Sequence, residues 1–237
     1  MKKAKTTVKK SGYYTPERIA EFIDMMHFYR DQIRAGKKLK VTISRGNEKE
    51  GLIPSASLLP FVTCPACCAS TCGASCYAAK IAAFRKSVAK SYAKNTALAL
   101  YDTARFWEMV ERAAALTTVF RFHVSGDIIN ADYFAHVLKI ARTHKNTKIL
   151  LFTKKYDVVN AYINGGGKIP KNLKVIFSGW GADLIPENPH GLPESTVYTD
   201  KAPDGAKICG GNCETCFLQG RGCWNIKNGE TIAFKKH

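Results

Sequence analysis

Nine cysteines fall into two tight groups. Cys64, Cys67, Cys68, Cys72 and Cys76 lie within thirteen residues, and Cys209, Cys213, Cys216 and Cys223 within fifteen. No cysteine lies between the groups. Thiols placed for packing alone would scatter, so the pattern points to thiolate–metal chemistry. The C-terminal group begins C-x3-C-x2-C, and Cys223 follows soon after. Zinc sites mostly use two short C-x2–4-C pairs set well apart, whereas compact runs of thiolates more often hold iron–sulfur clusters. A 4Fe–4S cluster is therefore expected on Cys209, Cys213, Cys216 and Cys223, with zinc as the alternative metal. In the N-terminal group the neighbours Cys67 and Cys68 are badly placed to share one ion, so one of them is spare. The ligand set reads as Cys64, Cys68, Cys72 and Cys76, with the choice between Cys67 and Cys68 open. Three ligands in place of four would leave one iron free for a cofactor or substrate. The counts admit one cluster or two, or a single site shared by both segments.

A second set of polar residues stands where strands end. The strand beginning at Val119 runs into His123-Val-Ser125-Gly126-Asp127. Alternation puts Arg121, His123 and Ser125 on one face and Phe120, Phe122 and Val124 on the packed one. His123, Ser125 and Asp127 are expected to orient a bound group or move protons, and Gly126 to admit close backbone approach. The next strands end in Thr153-Lys154-Lys155 and in Ser178-Gly179-Trp180-Gly181. Parallel α/β architectures build sites at these ends, so the three are expected to converge. Thr153, Lys154 and Ser178 are expected to contact a cofactor, with Lys154 or Lys155 holding phosphate. A plainer role for Asp127 is to cap a turn or the following helix.

The elements that position these residues follow from periodicity. Thr15 and Pro16 open a helix whose stripe is Ile19, Phe22, Ile23, Met26, Tyr29 and Ile33, stopped by Gly36. A short strand, 40–44, leads through a polar turn and a loop with two prolines into the first cysteines. Helices are predicted over 77–91 and 95–115, the latter burying Leu100, Ala104, Trp107 and Val110. Strands over 119–124, 148–153, 173–178 and 196–199 then alternate with helices over 132–143 and 156–164, and a strand over 231–234 closes the chain. The fold class is α/β: a partial (β/α) barrel or open parallel sheet, with N-terminal helices and a Cys-rich C-terminal segment. The organisation reads as 1–40, basic arm and first helix; 41–200, α/β core; and 201–237, Cys-rich tail and closing strand.

The formal charge is +17, from 36 Lys and Arg against 19 Asp and Glu. That imbalance predicts a nucleic acid or nucleotide partner, the alternative being a merely basic surface. No run approaches the ~20 apolar residues of a membrane span, and no apolar stretch follows the N-terminal lysines as in a signal peptide. A cytoplasmic protein is expected, in which thiols stay reduced and disulfides are rare. Oligomeric state is not legible.

Several of these residues resemble the phage gene-product-88 family. The likeness is carried by Ser44-x-Gly46-Asn47-x-Lys49, Leu59-Pro60-x-x-Thr63-Cys64-Pro65 and Cys72-x-x-x-Cys76-Tyr77-Ala78-x-Lys80. It continues in His123-Val124-Ser125-Gly126-Asp127, Tyr133, Phe152-Thr153 and the Cys-rich tail, covering about residues 41–237. It implies a phage or prophage origin, and so a host cytoplasm, but no particular reaction. It adds Asn47 and Lys49 to the expected cofactor contacts. The order strand, cysteine loop, helices, Ser125-Gly126-Asp127 is also similar to radical S-adenosylmethionine enzymes. Their C-x3-C-x2-C occurs here only at Cys209–Cys216, and Cys68-x3-Cys72-x3-Cys76 is one residue longer.

Two functions follow. One is an iron–sulfur enzyme, radical-S-adenosylmethionine-like or of another cluster chemistry, acting on nucleic acid or a nucleotide. The other is a metal-stapled nucleic-acid-binding protein without catalysis. A secreted disulfide protein and a Cys–His hydrolase rank below both.

Overall fold

The computed structural model describes residues 12–48, 50–179 and 186–236. The basic arm to residue 11, Lys49, Trp180, Gly181 and His237 lie outside the described residues. Helix α1, Pro16–Arg34, is capped by Thr15, whose side chain accepts from the Arg18 N–H at 3.2 Å. The short helices α2, Tyr77–Phe84, and α3, Lys86–Tyr101, are separated by extended Arg85. Helix α4 is Thr103–Ala115. The predicted 95–115 helix is thus split at Asp102, and the break shifts its phase. Leu100 and Ala104 are exposed, while Leu98, Phe106, Trp107 and Val110 are buried.

The strands are β1, Ile43–Ser44; β2, Ser55–Ala56; β3, Val119–Phe122; β4, Lys148–Thr153; β5, Leu173–Ser178; β6, Glu194–Tyr198; β7, Lys207–Ile208; and β8, Thr231–Lys235. They form one sheet in the order β1-β2-β3-β4-β5-β6-β8-β7. Only β1 pairs antiparallel. The sheet is therefore wound almost in chain order, as a partial barrel is, and is open at β1 and β7. Helices α5, Ala131–Thr143, and α6, Tyr156–Asn164, connect β3 to β4 and β4 to β5.

The two faces are covered by different parts of the chain. Alternation turns Phe120, Phe122, Ile149, Leu151, Val175 and Phe177 to one side, where α4, α5 and α6 bury them. Leu150, Ile176 and Ile232 point the other way, against Cys223, Ile226, Phe152, Cys209, Trp224 and Phe234. The Cys-rich tail thus fills the face that the helices leave open, and β7 and β8 add two strands to the same sheet. Cys209, Cys223, Trp224, Ile226, Ile232 and Phe234 of the tail thus share a core cluster with the central strands. A third cluster packs Phe22 and Met26 of α1 on Ala89, Ala93 and Ala97 of α3.

Candidate functional site

The loop Cys64–Cys76 is pinned at both ends to the turn that follows β3. Thr63, just before it, accepts the Asp127 N–H at 3.1 Å through Oγ1, and donates to the Leu59 carbonyl at 2.9 Å. Tyr77, just after it, donates its hydroxyl to the Val124 carbonyl. Leu58 N–H adds a bond to Ser125 O at 2.9 Å. Gly126 makes the approach possible. Its φ is +79°, and a Cβ there would stand 2.6 Å from Thr63 Oγ1 and 2.7 Å from Leu58 Cβ.

The three strand ends converge as predicted. Asp127 Oδ1 accepts from Thr153 Oγ1 at 2.5 Å and from its neighbour Ile128 N–H at 2.7 Å, and Oδ2 accepts the Lys154 N–H at 2.8 Å. Lys154 Nζ donates to Ser178 O at 3.2 Å and to Gly179 O. Asp127 therefore ties the turn after β3 to the end of β4, and Lys154 ties β4 to β5. Burial raises the Cys67 thiol, and the Lys154 ammonium acts against that rise. The lysine thus reaches the cysteine loop electrostatically.

Asp127 is fully buried, and burial pushes its carboxyl up to about 6 despite three donors that favour the anion. The raised value means that the folded chain holds a proton which the unfolded chain has lost. Stability therefore falls as pH rises from about 4 through about 6, by up to ~3 kcal/mol at about 1.4 kcal/mol per unit. Urea midpoints measured across that range are expected to fall with pH in the natural chain. Asp127→Asn is expected to flatten this dependence while losing the bond from the Lys154 N–H. An unchanged slope in the variant would place the titration elsewhere.

Among the described residues, His123, Ser125 and Asp127 are not hydrogen-bonded to one another through their side chains. His123 takes φ +59°, a left-handed value costly for a side chain with a Cβ. This ends the alternation assumed for 119–124, and the strand stops at Phe122. Arg121 stays on the tail-covered face, while His123 turns to α5 and meets Tyr133 Oη through Nε2 at 3.1 Å. Burial, aided by Arg121, pushes the imidazole down to about 3, so it is neutral at physiological pH. Its Nδ1 and the Ser125 hydroxyl are buried with no hydrogen-bond partner among the described residues. Each orphan costs roughly 1–3 kcal/mol, a cost usually tolerated where a ligand supplies the partner.

Within the loop, Cys68 is the hub. Its Sγ lies 3.8 Å from Cys72 Sγ, and it also hydrogen-bonds Cys64, which raises its own thiol. Cys76 instead caps α2, accepting from Ala79 N–H at 3.5 Å. Cys68 thus contacts Cys64, Cys67 and Cys72, and Cys76 stands beside Cys72 while its sulfur also caps α2.

The second cysteine group lies on the tail-covered face of the sheet. Cys209, Cys213, Cys216 and Cys223 line one cavity of about 30 Å³ with Arg121, Phe152 and Trp224. Arg121 bonds Glu50 Oε1 at 3.2 Å and Cys213 Sγ at 3.7 Å, and lies 5.2 Å over the Phe152 ring. Asn47 belongs here and not at the strand ends. Its Nδ2 donates to Glu50 Oε2 at 2.8 Å, and its Oδ1 accepts the Glu50 N–H at 3.1 Å. The same turn holds helix α7, Cys213–Leu218, through Glu214 N–H to Glu50 O at 3.0 Å. Sequence reasoning missed Glu50, and it singled out Thr63, Tyr77 and Tyr133 only as motif residues, without these roles. The signal available for the first was an arginine in the apolar strand Val119–Phe122.

Among the described residues, no three or more Cys, His, Asp and Glu side chains stand as a ready metal-binding group. A larger hollow of about 390 Å³ opens beside the start of β5, lined by Ile163, Lys171, Leu173 and His190. None of the expected site residues line it. Among the described residues no helix is long and apolar enough to cross a membrane.

Comparison with curated proteins and with solved structures gave no match. The model of the Gene product 88 family matches residues 30–228. That span takes in both cysteine groups, the turn after β3 and the Glu50–Arg121 pair, and the chain belongs to the Gene product 88 family.

Proposed function

We propose that the Cys64–Cys76 loop holds an iron–sulfur cluster at the mouth of the sheet, and that the protein is a cluster-dependent enzyme acting on nucleic acid or a nucleotide. One observation carries this reading. A loop of five thiols is tied to the same turn that presents two unpartnered buried polar atoms, His123 Nδ1 and Ser125 Oγ. The donor chemistry fits, because Cys68 contacts Cys64, Cys67 and Cys72, and Cys76 stands beside Cys72 while capping α2. Ligation by three of these thiolates would leave one metal position open. A cluster with an open iron supplies one-electron reduction of a bound cofactor, S-adenosylmethionine being the cofactor class expected. The chain's own residues hold and orient that cofactor. Ser125 and His123 offer it hydrogen bonds, Lys154 supplies positive charge beside the loop, and Asp127 with Thr153 fixes the turn.

A nucleic acid partner is supported by the charge of +17 and by one surface next to the loop. Tyr77, Ile81 and Phe84 of α2 are exposed at helical spacing, with Lys80, Arg85 and Lys86 exposed among them. Aromatic faces amid cations suit single-stranded bases and phosphates. Binding of a labelled oligonucleotide is expected to weaken steeply with salt, and Phe84→Ala with Lys80→Ala to weaken it at least about tenfold. Salt-insensitive binding would contradict this.

The decisive measurement is iron and sulfide content with EPR after anaerobic purification. The natural chain is expected to carry a reducible cluster, and Cys72→Ser to lose it while the fold persists. A chain that takes up no iron after reconstitution with iron and sulfide would sink the reading.

A further inference from the structure

We infer that the C-terminal cysteines form a second, chemically different site, which binds one divalent metal ion of the zinc type in a shell of four thiolates. This does not depend on the N-terminal loop. All four thiols, Cys209, Cys213, Cys216 and Cys223, line a single cavity of about 30 Å³. That is the space of about one water molecule. It suits one ion with metal–sulfur bonds of about 2.3 Å. One ion fits that space between the four sulfurs, so the cavity is read as a single-ion site although the spacing favoured a cluster.

The surroundings are built for thiolates. Cys216 and Cys223 are buried, and Cys209 and Cys213 are half-buried. The Gly211 N–H donates to Cys209 Sγ at 3.4 Å. Arg121 donates to Cys213 Sγ at 3.7 Å, and its Nε has no hydrogen-bond partner. A Cβ at Gly222 would stand 3.2 Å from Cys216 Sγ, and one at Gly210 would stand 3.3 Å from it, so the backbone passes the sulfur closely. The Trp224 indole holds Cys213 O at 2.9 Å, fixing the turn that carries two of the thiols.

Binding balances without a redox partner. One M²⁺ replaces four thiol protons, giving a shell of charge −2 and four protons to solvent. The Arg121 guanidinium offsets part of that charge. Closing the shell would lock the tail onto the sheet face formed by Leu150, Ile176 and Ile232.

The test uses the full chain, reduced and stripped of metal, titrated with cobalt(II) chloride and then zinc. One cobalt per chain is expected, with thiolate charge-transfer and tetrahedral d–d bands that zinc bleaches. The bands are expected to persist in Cys68→Ser/Cys72→Ser and to vanish in Cys213→Ser. If Cys213→Ser does not fold, Cys209→Ser at a half-buried position is read instead. Zinc is also expected to raise the thermal midpoint of the Cys68→Ser/Cys72→Ser chain by about 10 °C or more. Bands unaffected by both C-terminal variants, or iron and sulfide bound there in place of a single ion, would overturn the inference. Persistence of the N-terminal iron cluster in Cys213→Ser keeps the two sites separately testable.

Discussion

Arg121→Met is expected to destabilise the protein by about 3–5 kcal/mol, because it leaves Glu50 buried without its cation. Glu50 and Arg121 meet at 3.2 Å, with side-chain exposures of 7% and 14%. Burial already pushes the Glu50 carboxyl up, and Arg121 opposes that rise. Methionine fills the space of the arginine stem and offers no charge. Glu50→Gln on the same background would remove the stranded anion and keep the Asn47 contact, so much of the loss should return. Such non-additivity is the mark of a directly coupled pair. Urea unfolding of both singles and the double measures it. A single-variant loss under about 1 kcal/mol, or purely additive losses, would show that the pair is solvated and of no structural weight. The single variant is also expected to loosen the tail, since Arg121 reaches Cys213 and the Glu50 carbonyl holds α7.

Gly126→Ala is expected to cost about 2–5 kcal/mol and to reduce iron loading of the N-terminal loop. Two costs add. A side chain at φ +79° carries roughly 1–2 kcal/mol of backbone strain. The new methyl would also meet Thr63 Oγ1 at 2.6 Å and Leu58 Cβ at 2.7 Å, a packed region where overfilling costs typically 1–3 kcal/mol. Thr63 directly precedes Cys64, so relief of the clash moves the loop from the turn after β3. Circular dichroism, thermal unfolding and iron content read the two effects together. An alanine variant with natural stability and full iron would mean that the turn does not set the loop's position.

How much of this was legible in the sequence varies with the kind of signal. The strands β4 and β5 and the helix α6 agree with expectation to the residue, because apolar runs bounded by turn residues are unambiguous there. The convergence of Asp127, Thr153, Lys154 and Ser178 was also legible, since parallel strands must present their ends together. The two-residue strands β1, β2 and β7 carry too little periodicity to be seen in full. The helix breaks at Arg85 and Asp102 lack Gly or Pro, so nothing local marks them. At His123 the rule of alternation failed, because a left-handed backbone in a non-glycine residue has no sequence signature. Asn47 was read as a cofactor contact from its motif. In the structure it braces Glu50, a partner 71 residues from Arg121 that no local pattern could name.

The tail that covers the sheet's inner face also sets the order in which the molecule can be finished. Residues 119–178 supply the central strands and the helices that shield their outer face, and all are made before Cys209 leaves the ribosome. Until then Leu150 and Ile176 lack the tail residues that cover them in the finished fold. An exposed apolar face at that stage makes yield depend on protection from aggregation as well as on the stability of the finished fold.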